Sequence, residues 1–261
     1  MFGARMNLGD PKYENITETV NEMLSKDYAN GVWKKIMDNT TFPSEYYMPR
    51  WSQLRDNGTS HFSIVDSEGN AVSMTTSVNG AFGAGVLSSK TGIILNNEMG
   101  DFSAPTEKNA DELPPSPSNY IKPKKRPLSS MTPIVVTKDG QLVGAMGGSG
   151  GINIMAAVLQ VLVNYVNGMS PFDAVHSARV YHTLMPNVVS YENMTFINGG
   201  HTELGRRTRM FLESRKHELK SSPIGAAVQL IMHELDRTNN TISRSLVAVS
   251  DPRKGGRPAA L

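Results

Sequence analysis

The sequence predicts an α/β protein of the α+β type, an α/β sandwich whose mostly antiparallel sheet lies against segregated helices. Two pairs of short strand-like segments are each joined by turn-forming residues, which is the pattern of β-hairpins. The clearest helical segments follow these hairpins instead of alternating with them. With 261 residues, 39% of them hydrophobic and 19% charged, the chain can bury a substantial core.

Residues 1–58 are predicted to be helical and rich in loops. Thr17 is a candidate cap for a short helix. The segment Asp27–Met37 places four apolar residues near one helical face: Tyr28, Val32, Trp33 and Ile36. Prolines and a polar run of residues then interrupt regular structure before residue 59.

A first hairpin is predicted immediately after residue 59. His61–Val65 is a short strand, Asp66–Asn70 is a turn, and Ala71–Ser77 is the returning strand. Gly92–Leu95 is a further short apolar segment. Phe102–Pro127 contains six prolines and many polar residues, which predicts a long loop.

A second hairpin pairs Met131–Lys138 with Gln141–Met146 across the turn-forming pair Asp139-Gly140. Helices are predicted from about Ile152 to Val166 and from Pro171, which follows the capping residue Ser170.

The remaining segments complete the prediction. Thr202–Arg215 is predicted to be a helix. Ser222–Leu235 is ambiguous, since its composition suits a helix while a sheet-centred fold favours a strand. Ser245–Val249 is predicted to be the last strand.

Composition and charge exclude several function classes. The net charge of +2, without a long basic block, gives no support for a nucleic-acid partner, and Lys122–Arg126 is predicted to be a solvated loop. The absence of cysteine excludes disulfides, thiolate metal sites and a cysteine nucleophile. His61, His182 and His201 lack partners at metal-ligand spacing, so structural positions and no metal site are predicted.

Five Asn-x-Ser/Thr sequons suggest a secretory origin, although Met1–Asp10 does not have the pattern of a signal peptide. The sequons are at Asn15, Asn39, Asn57, Asn193 and Asn239. The longest apolar run, Ile152–Val166, is shorter than the roughly 18–20 residues that cross a bilayer. This combination leads us to expect further chain upstream.

The segment around Thr59 suits nucleophilic catalysis. A threonine hydroxyl needs an activating base, and cleavage of the chain before Thr59 would supply one in the freed α-amine. Gly58 has no side chain to hinder attack on its carbonyl group. By itself this pattern is also that of an ordinary threonine that begins a strand.

Several further motifs occur in order along the chain, and together they resemble the γ-glutamyltransferase family. They comprise Gly9-Asp10-Pro11, Gly58–Ser63, Asp66–Ser73, Asn96–Ser103, Arg126–Met131, Gly147–Gly151 and Asp251–Gly256. The resemblance covers the whole chain. It implies an N-terminal-nucleophile hydrolase αββα sandwich that is incomplete because most of the large subunit is absent. Residues 1–58 would be the tail of the large-subunit region and residues 59–261 the small catalytic-subunit region.

The resemblance also implies the catalytic roles. The cleavage site would be Gly58–Thr59, with Thr59 as the nucleophile. Ser77 falls where the family has a second hydroxyl residue, usually threonine, that hydrogen-bonds the nucleophile. Gly150 and Gly151 would offer backbone N–H groups to the oxyanion at the start of a helix. The same glycine run is not a phosphate loop, because it lacks the Lys-Ser/Thr ending and the glycine spacing of nucleotide-binding motifs.

A γ-glutamyl substrate presents an ammonium group and a carboxylate. The resemblance assigns the ammonium contacts to Asn79, Glu98 and Asp101, which are suitable acceptors, and the carboxylate contacts to Ser129 and Ser130. Gly100 stands where many relatives have a second aspartate, which predicts some loss of negative charge.

The implied partners are glutathione and other γ-glutamyl compounds, amino-acid or dipeptide acceptors and a large subunit, with no cofactor. The family's large subunit also supplies a carboxylate-binding arginine, for which the sequence offers no assignable candidate. A catalytically silent fragment that acts only by pairing with a large subunit is therefore the alternative to an enzyme. Location in the secretory pathway, outside the cell or at a membrane is implied by the family alone.

Overall fold

The computed structural model describes residues 2–52, 58–106, 113–238 and 241–260. Within these ranges the helices are α1 (Phe2–Arg5), α2 (Thr17–Met23), α3 (Lys26–Lys35), α4 (Ile154–Val166), α5 (Pro171–His176) and α6 (Arg206–Glu213). The strands are β1 (Thr59–Val65), β2 (Ala71–Ser77), β3 (Ile134–Lys138), β4 (Gln141–Ser149), β5 (Val180–Tyr181), β6 (Val189–Thr195), β7 (His201–Glu203), β8 (Leu219–Ser222), β9 (Ala227–Thr238) and β10 (Thr241–Val249). No described helix is long and apolar enough to cross a membrane.

Both predicted hairpins are present. In the first, β1 pairs antiparallel with β2, and the carboxylate of Asp66 accepts hydrogen bonds from the backbone N–H groups of Glu68 and Asn70. In the second, Asp139 and Gly140 have φ angles of 52° and 76°, which are the left-handed values of a tight hairpin turn.

The second hairpin lies in a four-stranded antiparallel sheet with the order β10-β9-β4-β3. β4 extends beyond the predicted Met146 to Ser149, because Gly147, Gly148 and Ser149 pair with β9. The segment Ser222–Leu235, which the sequence left ambiguous, is therefore a strand along most of its length. The glycine run Gly147–Gly151 is partly the end of the central strand β4.

Two layers lie on opposite faces of this sheet. On one face, Met146 of β4 and Val228 and Leu230 of β9 form a buried core with Val158 of α4. On the other face, Gly147 lies against His61 of β1, where a Cβ atom would be 2.3 Å from the imidazole. Helices, the four-stranded sheet and the β1–β2 hairpin thus form three successive layers of the predicted αββα sandwich.

The alternating side chains of the β1–β2 hairpin explain how it fits this arrangement. His61 and Thr75 point toward the four-stranded sheet, whereas Phe62, Ile64, Val72 and Met74 are 41–53% exposed on the outer face. Phe62 is paired with Met74 and Ile64 with Val72. We call these four residues the outer apolar face. Among the described residues, no helical layer covers it.

A smaller sheet contains β5, β6 and β7, with β8 parallel to β6. The pairing of β6 with β7 in this sheet shows that the helix prediction for Thr202–Arg215 is wrong over its first turn. Thr202 pairs with Met194 in the sheet, and the helix begins only after Gly205, at Arg206. Strand pairing therefore overrides the local helical propensity of this segment.

The helix termini in two other places test the predicted caps. Ser170 caps α5 as predicted, because its hydroxyl accepts a hydrogen bond from the N–H of Asp173. Thr17 is the first residue of α2 instead of its cap; the cap position is Ile16, which provides no side-chain hydrogen bond. The predicted capping role of Thr17 is therefore wrong.

The N-terminal segment is attached to the rest of the chain by hydrogen bonds along its length. The Asp10 carboxylate accepts from the Arg126 backbone and guanidinium, and the Ser116 hydroxyl donates to the carbonyl of Met6. Farther on, the N–H of Thr41 donates to the carbonyl of Arg215. The boundary proposed at residue 58 stays a prediction.

Candidate active site

Thr59 is the first residue of β1 and is only 3% exposed. The residue before it, Gly58, has a φ of +60°, and a Cβ atom there would lie 1.5 Å from the carbonyl oxygen of Asn79. Only glycine fits both this backbone conformation and this close approach. The fold therefore places a buried hydroxyl residue directly after a backbone position that requires glycine.

The end of β4 brings the predicted oxyanion group to Thr59. The backbone N–H of Gly150 donates to Thr59 Oγ1 at 3.4 Å. Gly150 and Gly151 have φ angles of +137° and +62° and lead into the turn that precedes α4. Two successive left-handed residues turn the backbone sharply at the helix N-terminus, where N–H groups are available to an anion.

Ser77 lies directly opposite Thr59 in the β1–β2 register. Its hydroxyl is 3.5 Å from the carbonyl oxygen of Gly58, and it accepts a hydrogen bond of 2.9 Å from the N–H of Asn79. In this state Ser77 therefore faces the carbonyl of the predicted cleavage bond. The resemblance had predicted a contact with the nucleophile's side chain, which stays a prediction.

The predicted ammonium contacts lie together just beyond Ser77. Asn79 is buried, and its amide donates to Asp101 Oδ1 at 2.8 Å and to the carbonyl of Asn97 at 3.2 Å. Asp101 and Glu98 share one 3₁₀ turn, Glu98–Asp101. Glu98 Oε1 is buried without a hydrogen-bond partner. Because a buried carboxylate oxygen is costly to leave unpaired, this atom is suited to receive a ligand's ammonium group.

The paired serines are connected to this turn through Asn119, a residue that the sequence reasoning missed. The Asn119 amide donates to the carbonyl of Asp101 at 2.7 Å, and its oxygen accepts from the N–H of Leu128 at 2.9 Å. Leu128 directly precedes Ser129 and Ser130. The asparagine therefore holds the Glu98–Asp101 turn and the serine pair in one hydrogen-bonded unit.

Arg5 reaches the serine pair from the N-terminal segment. It is buried, and its Nη2 donates to Ser130 Oγ at 2.9 Å across 125 residues of sequence. Ser130 is also buried, whereas Ser129 is exposed and caps the N–H of Met131. The structure thus places an arginine at the predicted carboxylate site. No sequence pattern identified it, because the contact depends on how the N-terminal segment packs.

His61 has the structural position that the sequence analysis predicted. Its Nδ1 is 2.8 Å from Thr75 Oγ1 and its Nε2 is 3.1 Å from Ser63 Oγ, so both ring nitrogens have partners. Burial lowers the pKa of His61 to about 4, which keeps the ring neutral near pH 7. His182 and His201 contact Asn187 and Thr195, respectively.

The short basic run belongs to a loop, as predicted, and acidic residues of the N-terminal segment neutralise part of it. Lys125 contacts Glu14 at 2.7 Å, and Arg126 contacts Asp10 at 2.9 Å. The hydrogen bonds from Arg126 hold the pKa of Asp10 well below its usual range. This pairing gives the Gly9-Asp10-Pro11 motif a structural role.

Comparison with known proteins identifies the family of this chain. The family model described as gamma-glutamyltranspeptidase matches residues 1–261. The chain belongs to the γ-glutamyltranspeptidase family. Its similarity extends over Gly58–Ser63, the Glu98–Asp101 turn, the serine pair and the C-terminal motif, and its fold is that of the N-terminal-nucleophile hydrolases.

Two relatives from Arabidopsis thaliana differ in length. Glutathione hydrolase 3 is 56% identical over 278 residues, which cover 100% of this chain but 44% of that protein. The protein named putative inactive glutathione hydrolase 4 is 51% identical over 191 residues, which cover 72% of this chain and 100% of that protein. The chain therefore spans less than half the length of the first relative.

A crystal structure of a mutant γ-glutamyltranspeptidase from Helicobacter pylori has the same fold. Its TM-score is 0.64 at 30% sequence identity, and the match covers 75% of this chain and 100% of that chain.

Proposed function

We propose that this chain carries the catalytic machinery for hydrolysis and transfer of γ-glutamyl groups, with Thr59 as the nucleophile. The contact between the Gly150 N–H and Thr59 Oγ1, 3.4 Å long, carries this proposal, because it joins a nucleophile to an oxyanion donor. Family membership and the relatives named glutathione hydrolase support glutathione as the substrate.

Activation begins with cleavage of the Gly58–Thr59 bond. Thr59 Oγ attacks the carbonyl carbon of Gly58, the C–N bond breaks, and the nitrogen takes the hydroxyl proton to become the α-amine. Water then hydrolyses the resulting ester and leaves a free Gly58 carboxylate. The Ser77 hydroxyl, 3.5 Å from the Gly58 carbonyl oxygen, is placed to polarise this carbonyl.

In turnover, Thr59 Oγ attacks the γ-carbonyl of the substrate while its own α-amine accepts the hydroxyl proton. The tetrahedral oxyanion forms within two bonds of Oγ, so the N–H groups of Gly150 and Gly151 can stabilise it. The amine returns the proton to the leaving nitrogen. Water or an acceptor amine then cleaves the γ-glutamyl ester and regenerates Thr59.

Recognition of the γ-glutamyl group uses the two ends of the hydrogen-bonded unit. Glu98 Oε1 and the Asp101 carboxylate would receive the ammonium group, with Asn79 holding Asp101 in place. Ser129 and Ser130 would donate to the carboxylate. Arg5 adds positive charge at Ser130 and is our candidate for part of the anionic subsite.

A large-subunit region of the same family is the proposed partner. The outer apolar face of the β1–β2 hairpin is the surface that a further layer would cover. Amino acids or dipeptides are the proposed acceptors. Exposed sequons at Asn15 and Asn39 suit a location in the secretory pathway, which endoglycosidase treatment of the natural protein would test.

A second candidate function is a silent chain that acts only through such pairing. One relative that is matched over its whole length is named putative inactive, and this favours the second candidate. The retained contacts of Thr59, Gly150 and Asp101 favour an enzyme.

The deciding experiment expresses the chain alone and together with a large-subunit region, and follows intact mass and release from a γ-glutamyl anilide. We expect cleavage between Gly58 and Thr59, and release of the anilide when the large-subunit region is present. Thr59→Ala should abolish both, while Thr59→Ser should retain slower cleavage. A chain that stays intact in both preparations and releases nothing would contradict enzymatic function.

A further inference from the structure

Lys254 makes a contact with Thr59 that the mechanism above does not use. Its Nζ donates to the backbone carbonyl oxygen of Thr59 at 2.7 Å, although 195 residues separate the two in sequence. Lys254 is an exposed residue, but its ammonium end lies at the beginning of β1. Loss of hydration lowers the pKa of Lys254.

The segment before Lys254 is firmly held. Asp251 is fully buried and accepts hydrogen bonds from the Arg179 guanidinium and the Val228 N–H, each at 2.8 Å. The guanidinium of Arg253 contacts both Asp251 and Glu192 within the same buried cluster. Because the backbone is anchored up to residue 253, the position of the Lys254 Cα is fixed, and its side chain extends toward Thr59.

Covalent geometry limits how far this ammonium lies from the Thr59 nitrogen. The nitrogen and carbonyl oxygen of one residue are at most about 3.6 Å apart, so Lys254 Nζ lies within about 6.3 Å of that nitrogen. After cleavage the nitrogen would be an α-amine. A positive charge at about 4–6 Å opposes protonation of such a group.

We propose that the Lys254 ammonium favours the neutral, proton-accepting form of the α-amine that cleavage at Gly58–Thr59 would create. Lys254 is then a positioning residue that sets the charge state of the general base without contacting the reacting atoms. This inference rests on the proposed function, since only a cleaved chain has this amine. An unperturbed α-amine titrates at about 7.7–8.0, so a modest shift gives mostly free base at neutral pH.

Among the residues that the structure describes, the other titratable groups around Thr59 do not replace this charge. His61, on the same face of β1, is neutral because burial lowers its pKa to about 4. The carboxyl groups of Glu98 and Asp101 lie in the neighbouring turn, and negative charge there would act in the opposite direction. In β9, His233 follows Met232, the partner of Gly144. It therefore lies at the opposite end of the β4–β9 pairing from Ser149. β2 and the end of β4 present only uncharged residues beside Thr59.

The test measures the amine directly and does not depend on turnover. Residues 1–58 and 59–261 are coexpressed as two chains, so that removal of an initiator methionine leaves Thr59 as an N-terminus. Competitive acetylation with acetic anhydride across pH, read by mass spectrometry, gives the pKa of the Thr59 α-amine. We expect Lys254→Met to raise this pKa by about one unit, and Lys254→Arg to keep it near the wild-type value.

Two further variants make the result specific. Lys138→Met removes an exposed lysine of the β3–β4 hairpin and should leave the amine unchanged. Lys254→Gln is a second neutral variant with a different side chain, and circular dichroism checks that each variant is folded. If Lys254→Met and Lys254→Gln are folded and have the wild-type amine pKa, the proposal is overturned.

Failure of this inference and failure of the proposed function are distinguishable. Cleavage of the continuous chain is followed separately by intact mass. A continuous chain that does not cleave, combined with a shifted amine in the two-chain form, contradicts self-processing and supports the role of Lys254. Efficient cleavage without a shift in the Lys254 variants supports the enzyme and contradicts the inference.

Discussion

At the scale of single residues, the candidate site depends on glycines, and their roles are conformational. Gly58 permits the left-handed backbone before Thr59, and Gly150 turns its N–H toward Thr59 Oγ1. A Cβ atom on Gly150 would lie 2.7 Å from both Cα and Cβ of Ala226, inside normal contact distance. A side chain there would have to displace the backbone that carries the proposed oxyanion donor.

We expect Gly150→Ala to reduce the rate of anilide release by about 10²–10³-fold, the usual effect of losing one oxyanion donor. Single-turnover release from a γ-glutamyl anilide by the assembled enzyme measures this loss. Gly31→Ala is the matched control, because a Cβ atom at Gly31 on exposed α3 meets nothing within 4 Å. A Gly150→Ala variant with the rate of the control would contradict the assigned role.

The sequence predicted most of these residues but not their supports. Thr59, Gly150, Asn79 and Asp101 belong to motifs that can be read locally. The structure brings Gly150 into contact with Thr59, and Asn79 into contact with Asp101. Arg5, Asn119 and Lys254 act through contacts between distant segments. No local spacing encodes such contacts, because they arise only when separate elements pack together.

Among the structural elements, the C-terminal segment is anchored by buried ion pairs. Arg253 donates to Glu192 and to Asp251, and Arg179 also donates to Asp251, with all four side chains nearly inaccessible. Burying charges is costly, so such a cluster is stable only while every charge has its partner.

Arg253→Met should therefore lower the free energy of unfolding by about 3–5 kcal/mol, because it leaves two buried carboxylates with fewer partners. Urea denaturation followed by circular dichroism measures this change. The control is Arg209→Met, which removes a partly exposed ion pair with Glu203 and should cost at most about 1 kcal/mol. Equal losses of unfolding free energy in the two variants would contradict a larger contribution from the buried cluster than from the partly exposed ion pair.

The N-terminal segment is joined to the basic loop by a pH-dependent contact. Hydrogen bonds from Arg126 hold the pKa of Asp10 far below its usual value of 3.8. A group with a lowered pKa in the folded state contributes stability above its unfolded pKa and loses that contribution as the pH falls toward the folded value. The Asp10 contribution is therefore complete near neutral pH and declines below about pH 4.

We expect Asp10→Asn to be clearly less stable than the wild type at pH 6, with a difference that shrinks progressively below about pH 4. Urea denaturation at a series of pH values tests this. Asp139→Asn, in the exposed β3–β4 turn, should be close to the wild type throughout. A difference for Asp10→Asn that does not change with pH would contradict the ionic origin of the contact.

On the scale of the whole molecule, the chain has an uncovered apolar surface. Helices cover one side of the four-stranded sheet and the β1–β2 hairpin covers the other, but the outer apolar face of that hairpin is 41–53% exposed. Adjacent exposed Phe, Ile, Val and Met side chains are typical of an interface and favour association in isolation.

Ile64→Thr should reduce both the binding of a hydrophobic dye and the self-association of the isolated chain, since it removes apolar surface from the centre of this face. It should also weaken assembly with a large-subunit region, because burial of an isoleucine side chain stabilises by about 1.5–3 kcal/mol. Dye fluorescence and analytical ultracentrifugation measure these effects. Ile224→Thr, at an exposed isoleucine elsewhere, is the control. Equal effects of the two variants would contradict an interface at the hairpin.

The sequence alone determined the two hairpins and the family, because alternation, turn residues and ordered motifs are local properties of the sequence. Its assignment of Thr59 as the nucleophile stays a prediction. It misplaced the start of α6 and left β9 ambiguous, since strand pairing overrides local propensity in both places. Only the tertiary structure decided that Arg5 meets Ser130 and that Lys254 meets Thr59, across 125 and 195 residues. Such contacts are set by how separate segments of the chain pack together, which determines the partner of each charged side chain.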